Sequence, residues 1–85
     1  MNRYLNLWAL IESDLTRARN TLPNATASDT VILQFHEFIN NNEFELACDM
    51  LDAYSEEHLV TKDFWIALRD AAIKMQLPDR ARRYE

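Results

Sequence analysis

The chain has 85 residues, a net charge of −5, a single cysteine and no glycine. Its length leaves no room for a second domain, its apolar content of 48% excludes an intrinsically disordered chain, and its lone Cys48 excludes an internal disulfide. The acidic balance disfavours nucleic acid and anionic membranes as partners. Because tight hairpins depend on glycine, we predict a single all-α domain over residues 1–85.

The first predicted helix covers residues 2–22. Apolar residues recur in it at alternating spacings of four and three, which places them on one face of the helix. This face consists of Tyr4, Trp8, Ile11, Leu15, Ala18 and Leu22, and it is widened by Leu5, Leu7 and Leu10. A polar loop over residues 20–27 follows, and Pro23 is consistent with the end of the helix.

A second helix is predicted over residues 29–40, capped by Ser28 or Asp29. Its apolar positions are Val31, Ile32, Phe35, Phe38 and Ile39. The asparagines at 40–42 end this helix, because asparagine tolerates the left-handed conformation that follows many helices.

A third helix is predicted over residues 43–57, where Asn42 and Glu45 have the spacing of a capping box. The short connection predicts that the second and third helices form a tight antiparallel hairpin. One side of the third helix carries Phe44, Ala47, Cys48 and Leu51, and another side carries Leu46, Met50 and Tyr54. Either this helix is central and packed from both sides, or the second set is partly exposed.

A fourth helix is predicted over residues 62–77, with Thr61 as its cap. Its inward positions are Phe64, Trp65, Leu68, Ala71, Ala72 and Met75. After Pro78, residues 79–85 form either one short helical turn or a frayed tail. Together the helices predict a small four-helix bundle with the helical hairpin at its centre.

The middle of the sequence carries charge of one sign. No lysine or arginine lies between Arg19 and Lys62, whereas eight carboxylates do. Four of them share one face of the third helix, because they are spaced four, three and four apart. We call these four the acidic stripe: Glu45, Asp49, Asp52 and Glu56. A solvated surface explains the stripe, and so does a docking face for a basic partner; catalytic carboxylates or a metal site are a weaker interpretation.

No residue pattern predicts catalysis, a cofactor or a metal. His36, Cys48, Asp49 and His58 match no zinc-ligand spacing, and we assign His36 to a helix surface and Cys48 to the core. The sequence lacks a nucleophile elbow and a glycine-rich phosphate loop, so we predict no enzymatic activity. We also expect no secretion signal and no membrane span, and therefore a cytoplasmic protein.

The last residues concentrate positive charge in Arg80, Arg82 and Arg83. Solvated charge explains this cluster, which also suits the C-terminal pole of a helix dipole. Pairing with the acidic middle, within one molecule or between two, is the alternative.

The segment FHEFINNNEFELACDML, from Phe35 to Leu51, is followed by Phe64-Trp65, Ala71-Ala72, Met75 and Leu77. This pattern resembles small all-helical bacterial immunity proteins (MafI-like) that are encoded beside polymorphic or contact-dependent toxins, and it covers roughly residues 33–77. The resemblance implies a cytoplasmic inhibitor that binds the catalytic domain of a cognate toxin and blocks its active site. Many such toxins are nucleases with basic clefts, for which an acidic helix face is a suitable mimic of the phosphate backbone.

We therefore predict an immunity protein that binds a toxin with a basic surface and is itself a monomer or a homodimer. The predicted contact residues are the stripe, Glu45, Asp49, Asp52 and Glu56, with Glu37, Glu43 and Tyr54 as neighbours. An exposed Tyr54 among carboxylates would serve as an aromatic anchor. The alternative function is a small helical adaptor that forms homo-oligomers through exposed apolar helix surface, including Leu46 and Met50.

Overall fold

The computed structural model describes residues 3–23 and 29–85, and all regular secondary structure in these two segments is helical. The described residues form five helices: α1 (Arg3–Asn20), α2 (Thr30–Asn40), α3 (Phe44–Glu57), α4 (Lys62–Lys74) and α5 (Pro78–Arg83). The all-α prediction is therefore confirmed, and a short fifth helix follows Leu77. The side chain of Tyr4 and the loop at 24–28, with the candidate cap Ser28, lie outside the described part of the chain.

The core lies where α1 packs against α4 and α2 packs against α3. α1 also contacts α3, and α5 packs against α4. The largest fully buried side chains come from each of the first four helices. They are Leu15, Ile32, Phe35, Cys48, Leu51, Phe64 and Leu68, and they belong to one hydrophobic cluster.

α1 buries only the C-terminal part of its predicted apolar face. The buried residues are Ile11, Leu15, Ala18 and Leu22. Trp8 is 41% exposed, and Leu5 and Leu10, which were expected to widen the face, are exposed as well. The reason is the position of α4, whose last residue, Lys74, pairs with Asp14 in the middle of α1. The first half of α1 therefore extends beyond α4.

Ion pairs join α1 to α4. Lys74 Nζ donates to Asp14 Oδ2 at 2.6 Å, and Arg17 Nη2 donates to Asp70 Oδ2 at 2.7 Å. Asp14 is 6% exposed and is the one buried charged residue among those described. Its position on the apolar face of α1 was the available signal in the sequence, but only the fold shows that Lys74 supplies the partner that a buried carboxylate needs.

Two predicted N-caps are confirmed, and the predicted capping box of the third helix is wrong. The side-chain oxygens of Asp29 and Thr61 accept hydrogen bonds from backbone N–H groups in the first turns of α2 and α4, at 2.8 and 3.3 Å. At α3 the capping residue is Glu43, whose side chain makes no capping hydrogen bond. Asn42 does not form the predicted capping box because its φ is 58°, outside the extended region that an N-cap adopts.

α2 and α4 both end in a Schellman motif although the chain has no glycine. In each motif an N–H group beyond the helix bonds back at 2.9 Å, to the carbonyl of Phe38 or of Ala72. The left-handed residue is Asn42 in the first motif and Gln76 in the second, where φ is 59°. The second motif ends α4 at Lys74, three residues before the predicted boundary of 77.

Gln76→Gly is expected to raise the free energy of unfolding by about 0.5–1 kcal/mol. Glutamine has a Cβ that clashes in the left-handed conformation, and glycine removes this strain at some entropic cost in the unfolded chain. Chemical denaturation measures the change. The control is Gln34→Gly, in the exposed part of α2, which should lower stability by about 1 kcal/mol. A destabilising Gln76→Gly would show that this position carries no strain.

α3 is packed on more than one side but not on all sides. Phe44, Ala47, Cys48 and Leu51 are buried, as predicted. Of the second set, Leu46 is 43% exposed, Met50 is half-buried and Tyr54 is only 6% exposed. The Tyr54 ring stacks on His58, with ring centroids 4.0 Å apart. The proposed exposed anchor at Tyr54 is therefore wrong, because its ring is covered by the protein itself.

Candidate functional site

The acidic stripe lies beside α5, which covers its centre. Arg80 Nη1 is 2.5 Å from Asp49 Oδ1, and Arg80 Nη2 is 3.7 Å from Glu45 Oε2. Arg83 forms a salt bridge with Asp52. Glu56 is exposed and makes no ion pair with any described residue. Of the alternatives for the arginine cluster, pairing within one molecule is the one observed.

The spacing of charges along both helices produces this match. Residues three apart lie on one face of a helix, so Arg80 and Arg83 are neighbours on α5, as Asp49 and Asp52 are on α3. Pro78 occupies the first turn of α5, where a missing N–H costs nothing. Arg82 points elsewhere and pairs with Asp79 of its own helix at 2.5 Å.

Tyr84 fixes the end of α5 between α3 and α4. Its side chain is buried, and its hydroxyl donates to Asp52 Oδ2 at 2.8 Å and lies 3.7 Å from Cys48 Sγ. Its ring stacks on Trp65, with ring centroids 5.6 Å apart. Sequence reasoning missed Tyr84. The signal was its spacing of three from Ala81, since both residues are buried and lie on one face of α5.

Burial of the Tyr84 ring contributes more to the docking of α5 than the exposed ion pair of Arg83 does. A large buried side chain contributes about 1.5–3 kcal/mol. Exposed ion pairs contribute about 0–1 kcal/mol each, and the Arg83 side chain is 62% exposed. The apolar contact and the partly buried Arg80–Asp49 pair therefore hold α5 in place, and both arginines neutralise the stripe beneath it.

The cluster around Cys48 favours protonated groups. Burial raises the pKa of the Cys48 thiol, an effect only partly offset by its polar contacts with Tyr84 and Arg80. Burial also raises the pKa of the Tyr84 phenol, and the hydrogen bond to Asp52 adds to the increase. Because a thiolate, not a thiol, is the reactive species, Cys48 behaves as a core residue near neutral pH.

Of the eight carboxylates between Arg19 and Lys62, the exposed ones without an ion pair to a described residue lie near the two ends of α3. Glu37 and Glu43 are exposed near the α2–α3 turn and make no ion pair with a described residue. Glu56 and Glu57 are exposed at the other end. Glu45 and Glu56 are eleven residues apart, or about 16 Å along the helix. The predicted continuous stripe is thus two separate acidic ends with a neutralised centre.

The end near the α2–α3 turn also presents an aromatic side chain. Trp8 is 41% exposed and contacts Phe44, the first residue of α3, edge-on at 6.5 Å between ring centroids. We call Trp8, Glu37, Glu43 and Glu45 the turn-end patch. Trp8 was predicted to lie on the apolar face, and only the extension of α1 beyond α4 exposes it.

His36 adds no positive charge to this side of the molecule near pH 7. It is exposed, as predicted, and its pKa is lowered by partial burial and by the nearby Arg19. Among the described residues, no group of histidine, cysteine and carboxylate side chains is arranged to hold a metal ion. None of the described helices has the length and hydropathy needed to cross a bilayer.

No protein-family profile matches the chain, and neither a curated protein nor a solved structure shows detectable similarity to it. The geometry of the turn-end patch and of α5 is therefore the basis for assigning a function.

Proposed function

We propose that this protein is a non-catalytic binding module that docks its turn-end patch onto a basic surface of a partner protein. The observation that carries the proposal is an exposed Trp8 that packs against Phe44, beside Glu43, which like Glu37 is exposed and makes no ion pair with a described residue. Tryptophan is among the residues most often found at energetic hot spots of interfaces. A basic partner would supply the charge that this patch lacks and would be steered toward it.

The specific role that we propose is an immunity protein that occludes a cognate bacterial toxin domain in the cytoplasm. The resemblance of residues 33–77 to immunity proteins of toxin systems supports this role. In this proposal, the four longer helices act as a bundle, with α2 and α3 as its antiparallel hairpin. The hairpin turn would then hold Glu43 and Glu45 at the rigid edge of the bundle. The toxin would be a basic nuclease whose phosphate site receives these carboxylates.

The contact residues in this proposal differ in part from those predicted by helical spacing alone. Asp49 and Asp52 are bound by the arginines of α5, and Tyr54 is buried. Glu37 and Glu43 remain without an ion pair to a described residue, Glu45 is exposed with only a 3.7 Å pair to Arg80, and Trp8 takes the anchoring role in place of Tyr54. Glu56 and Glu57 contribute to the long-range field rather than to the contact.

Glu37→Lys with Glu43→Lys is expected to weaken binding to the toxin domain by about 100-fold, because two attractions become repulsions at the contact. The toxin is expected to be the basic C-terminal domain of a secreted protein encoded next to this gene. Surface plasmon resonance measures the affinity, and rescue of growth on co-expression measures protection. Both glutamates are exposed, so thermal stability should change little.

Glu56→Lys with Glu57→Lys is the matched control, since it makes the same change in net charge at the other end of α3. It should slow association through the weaker field but leave the dissociation rate near that of the wild type. Equal losses for both pairs would mean that the patch is not the contact.

A neighbouring gene without a toxin domain would remove the immunity role. A homo-oligomer that persists in high salt and is lost on Leu46→Ser would instead support the adaptor function, which the exposure of Leu46 favours.

A further inference from the structure

A cleft opens between α4 and α5, and three basic residues lie in its lining. Its volume is about 450 Å³, and Trp65, Ile66 and Tyr84 form its apolar wall. Lys62, Arg69 and Arg83 also line it, together with one acidic residue, Glu85. A surface of this kind fits an apolar side chain that is accompanied by carboxylates.

Two of the cations in this cleft are available to a partner. Lys62 makes no ion pair with any described residue. Arg69 lies 3.8 Å from Asp70, whose other carboxylate oxygen already binds Arg17 at 2.7 Å. Arg83 is engaged with Asp52. The α4 wall of the cleft therefore presents two cations, Lys62 and Arg69, on either side of Ile66, which is itself 36% exposed, whereas Glu85 lies on the opposite, α5 side.

The turn between α3 and α4 presents a side chain with the complementary character. Leu59 is as exposed as in an extended peptide, at 103%, and Glu56 and Glu57, also exposed, come just before it. We call these three residues the acidic knob. Burial of this leucine against a partner would contribute about 1.5–3 kcal/mol of favourable free energy.

The acidic knob is held in a fixed position although Leu59 itself touches little. His58 stacks on Tyr54, and its Nδ1 lies 3.1 Å from the Tyr54 carbonyl oxygen. Val60 packs against the core, and Thr61 caps α4. Both neighbours of Leu59 are thus anchored, so binding at this residue would cost little conformational entropy.

We propose that two copies of this chain form a two-fold dimer in which Leu59 of each copy enters the α4–α5 cleft of the other. Glu56 and Glu57 then lie against Lys62 and Arg69 of the opposite copy. The knob and the cleft are adjacent, because Lys62 follows Leu59 by three residues. A single patch therefore contains both complementary features, as a closed two-fold interface requires.

This dimer is independent of the proposed binding function. The acidic knob lies at the end of α3 opposite the turn-end patch, so both surfaces are available at once. A monomeric protein that still neutralises a toxin would remove only the dimer, and a dimer without a basic partner would remove only the binding function.

Sedimentation velocity over protein concentrations up to about 500 µM tests the dimer, for which a small interface predicts a dissociation constant of about 10–100 µM. Leu59→Ser should raise this constant at least tenfold. Leu33→Ser, a control at an exposed leucine of α2 outside both the knob and the cleft, should leave it unchanged. Raising salt from about 50 to about 500 mM should also weaken association.

A charge exchange tests the pairing across the interface. Lys62→Glu and Glu57→Lys should each abolish the dimer, whereas an equimolar mixture of the two variants should restore it, since both contacts then join opposite charges. Circular dichroism checks that each variant is folded. A wild-type protein that remains monomeric at every concentration would overturn the proposal. A dimer whose dissociation constant is unchanged by Leu59→Ser would also overturn it. So would a mixture of the two variants that fails to associate, which is the result expected if the cleft instead binds an acidic peptide of another protein.

Discussion

Tyr84→Ala is expected to lower the free energy of unfolding by about 3 kcal/mol, although Tyr84 is the penultimate residue. The change removes a buried aromatic ring and leaves a cavity against Trp65. It also leaves Asp52 without the hydroxyl that donates to it at 2.8 Å. Denaturation in urea, followed by tryptophan fluorescence, measures the loss.

The reactivity of Cys48 gives a second measure of the same change. Its thiol is fully buried and lies 3.7 Å from the Tyr84 hydroxyl. In Tyr84→Ala, a thiol reagent should label Cys48 at least tenfold faster, because α5 opens more often. The control is Tyr84→Phe, which keeps the ring and should cost about 1 kcal/mol for the lost hydrogen bond. A stability loss under about 1 kcal/mol in Tyr84→Ala would mean that α5 is not docked by this ring.

Lys74→Met is expected to lower the free energy of unfolding by about 2 kcal/mol. It leaves Asp14, which is 6% exposed, without its closest cation. Removing one partner of a buried pair costs about 3–5 kcal/mol, but the Lys74 side chain is 32% exposed and Arg17 lies 3.5 Å from the same carboxylate, so the expected loss is smaller. Thermal and urea denaturation measure it.

The double variant Asp14→Leu with Lys74→Met tests the cause of that loss. Replacing a buried ion pair by apolar side chains of similar size is often neutral or stabilising. We therefore expect the double variant to recover most of the stability lost in Lys74→Met. If the double variant instead lost more stability than Lys74→Met, the Asp14–Lys74 pair itself would be stabilising. The loss in the single variant would then not be explained by an uncompensated charge on Asp14.

The position of α5 changes how the acidic stripe must be tested. Asp49→Lys with Asp52→Lys, a natural choice from helical spacing, would place lysines against Arg80 and Arg83 and break the contact with Tyr84. Lost binding in that variant would then reflect lost stability as well. Glu37 and Glu43 do not have this problem, because both are exposed and neither makes an ion pair with a described residue.

Part of the candidate site follows from the sequence. Helical spacing placed the four stripe carboxylates on one side of α3, and Glu37 and Glu43 beside its start. Spacing does not reveal which of these charges find partners, because the arginines that bind Asp49 and Asp52 lie about thirty residues away in the chain. The same reason explains Trp8 and Tyr54. Trp8 is exposed although its helix face predicts burial, and Tyr54 is buried although an exposed anchor was one interpretation, because contacts between helices decide which aromatic side chain is covered.

The sequence by itself determined the all-α class, the first four helices to within a few residues, the caps at Asp29 and Thr61, and most of the core. These features depend on local forces, namely the period of apolar residues and hydrogen bonds within one turn. Only the tertiary structure decided that α5 neutralises the centre of the stripe, that Asp14 is buried with Lys74, and that Trp8 and Leu59 remain exposed. Those outcomes depend on how far each helix extends past its neighbours, a relation between distant segments that no local pattern encodes.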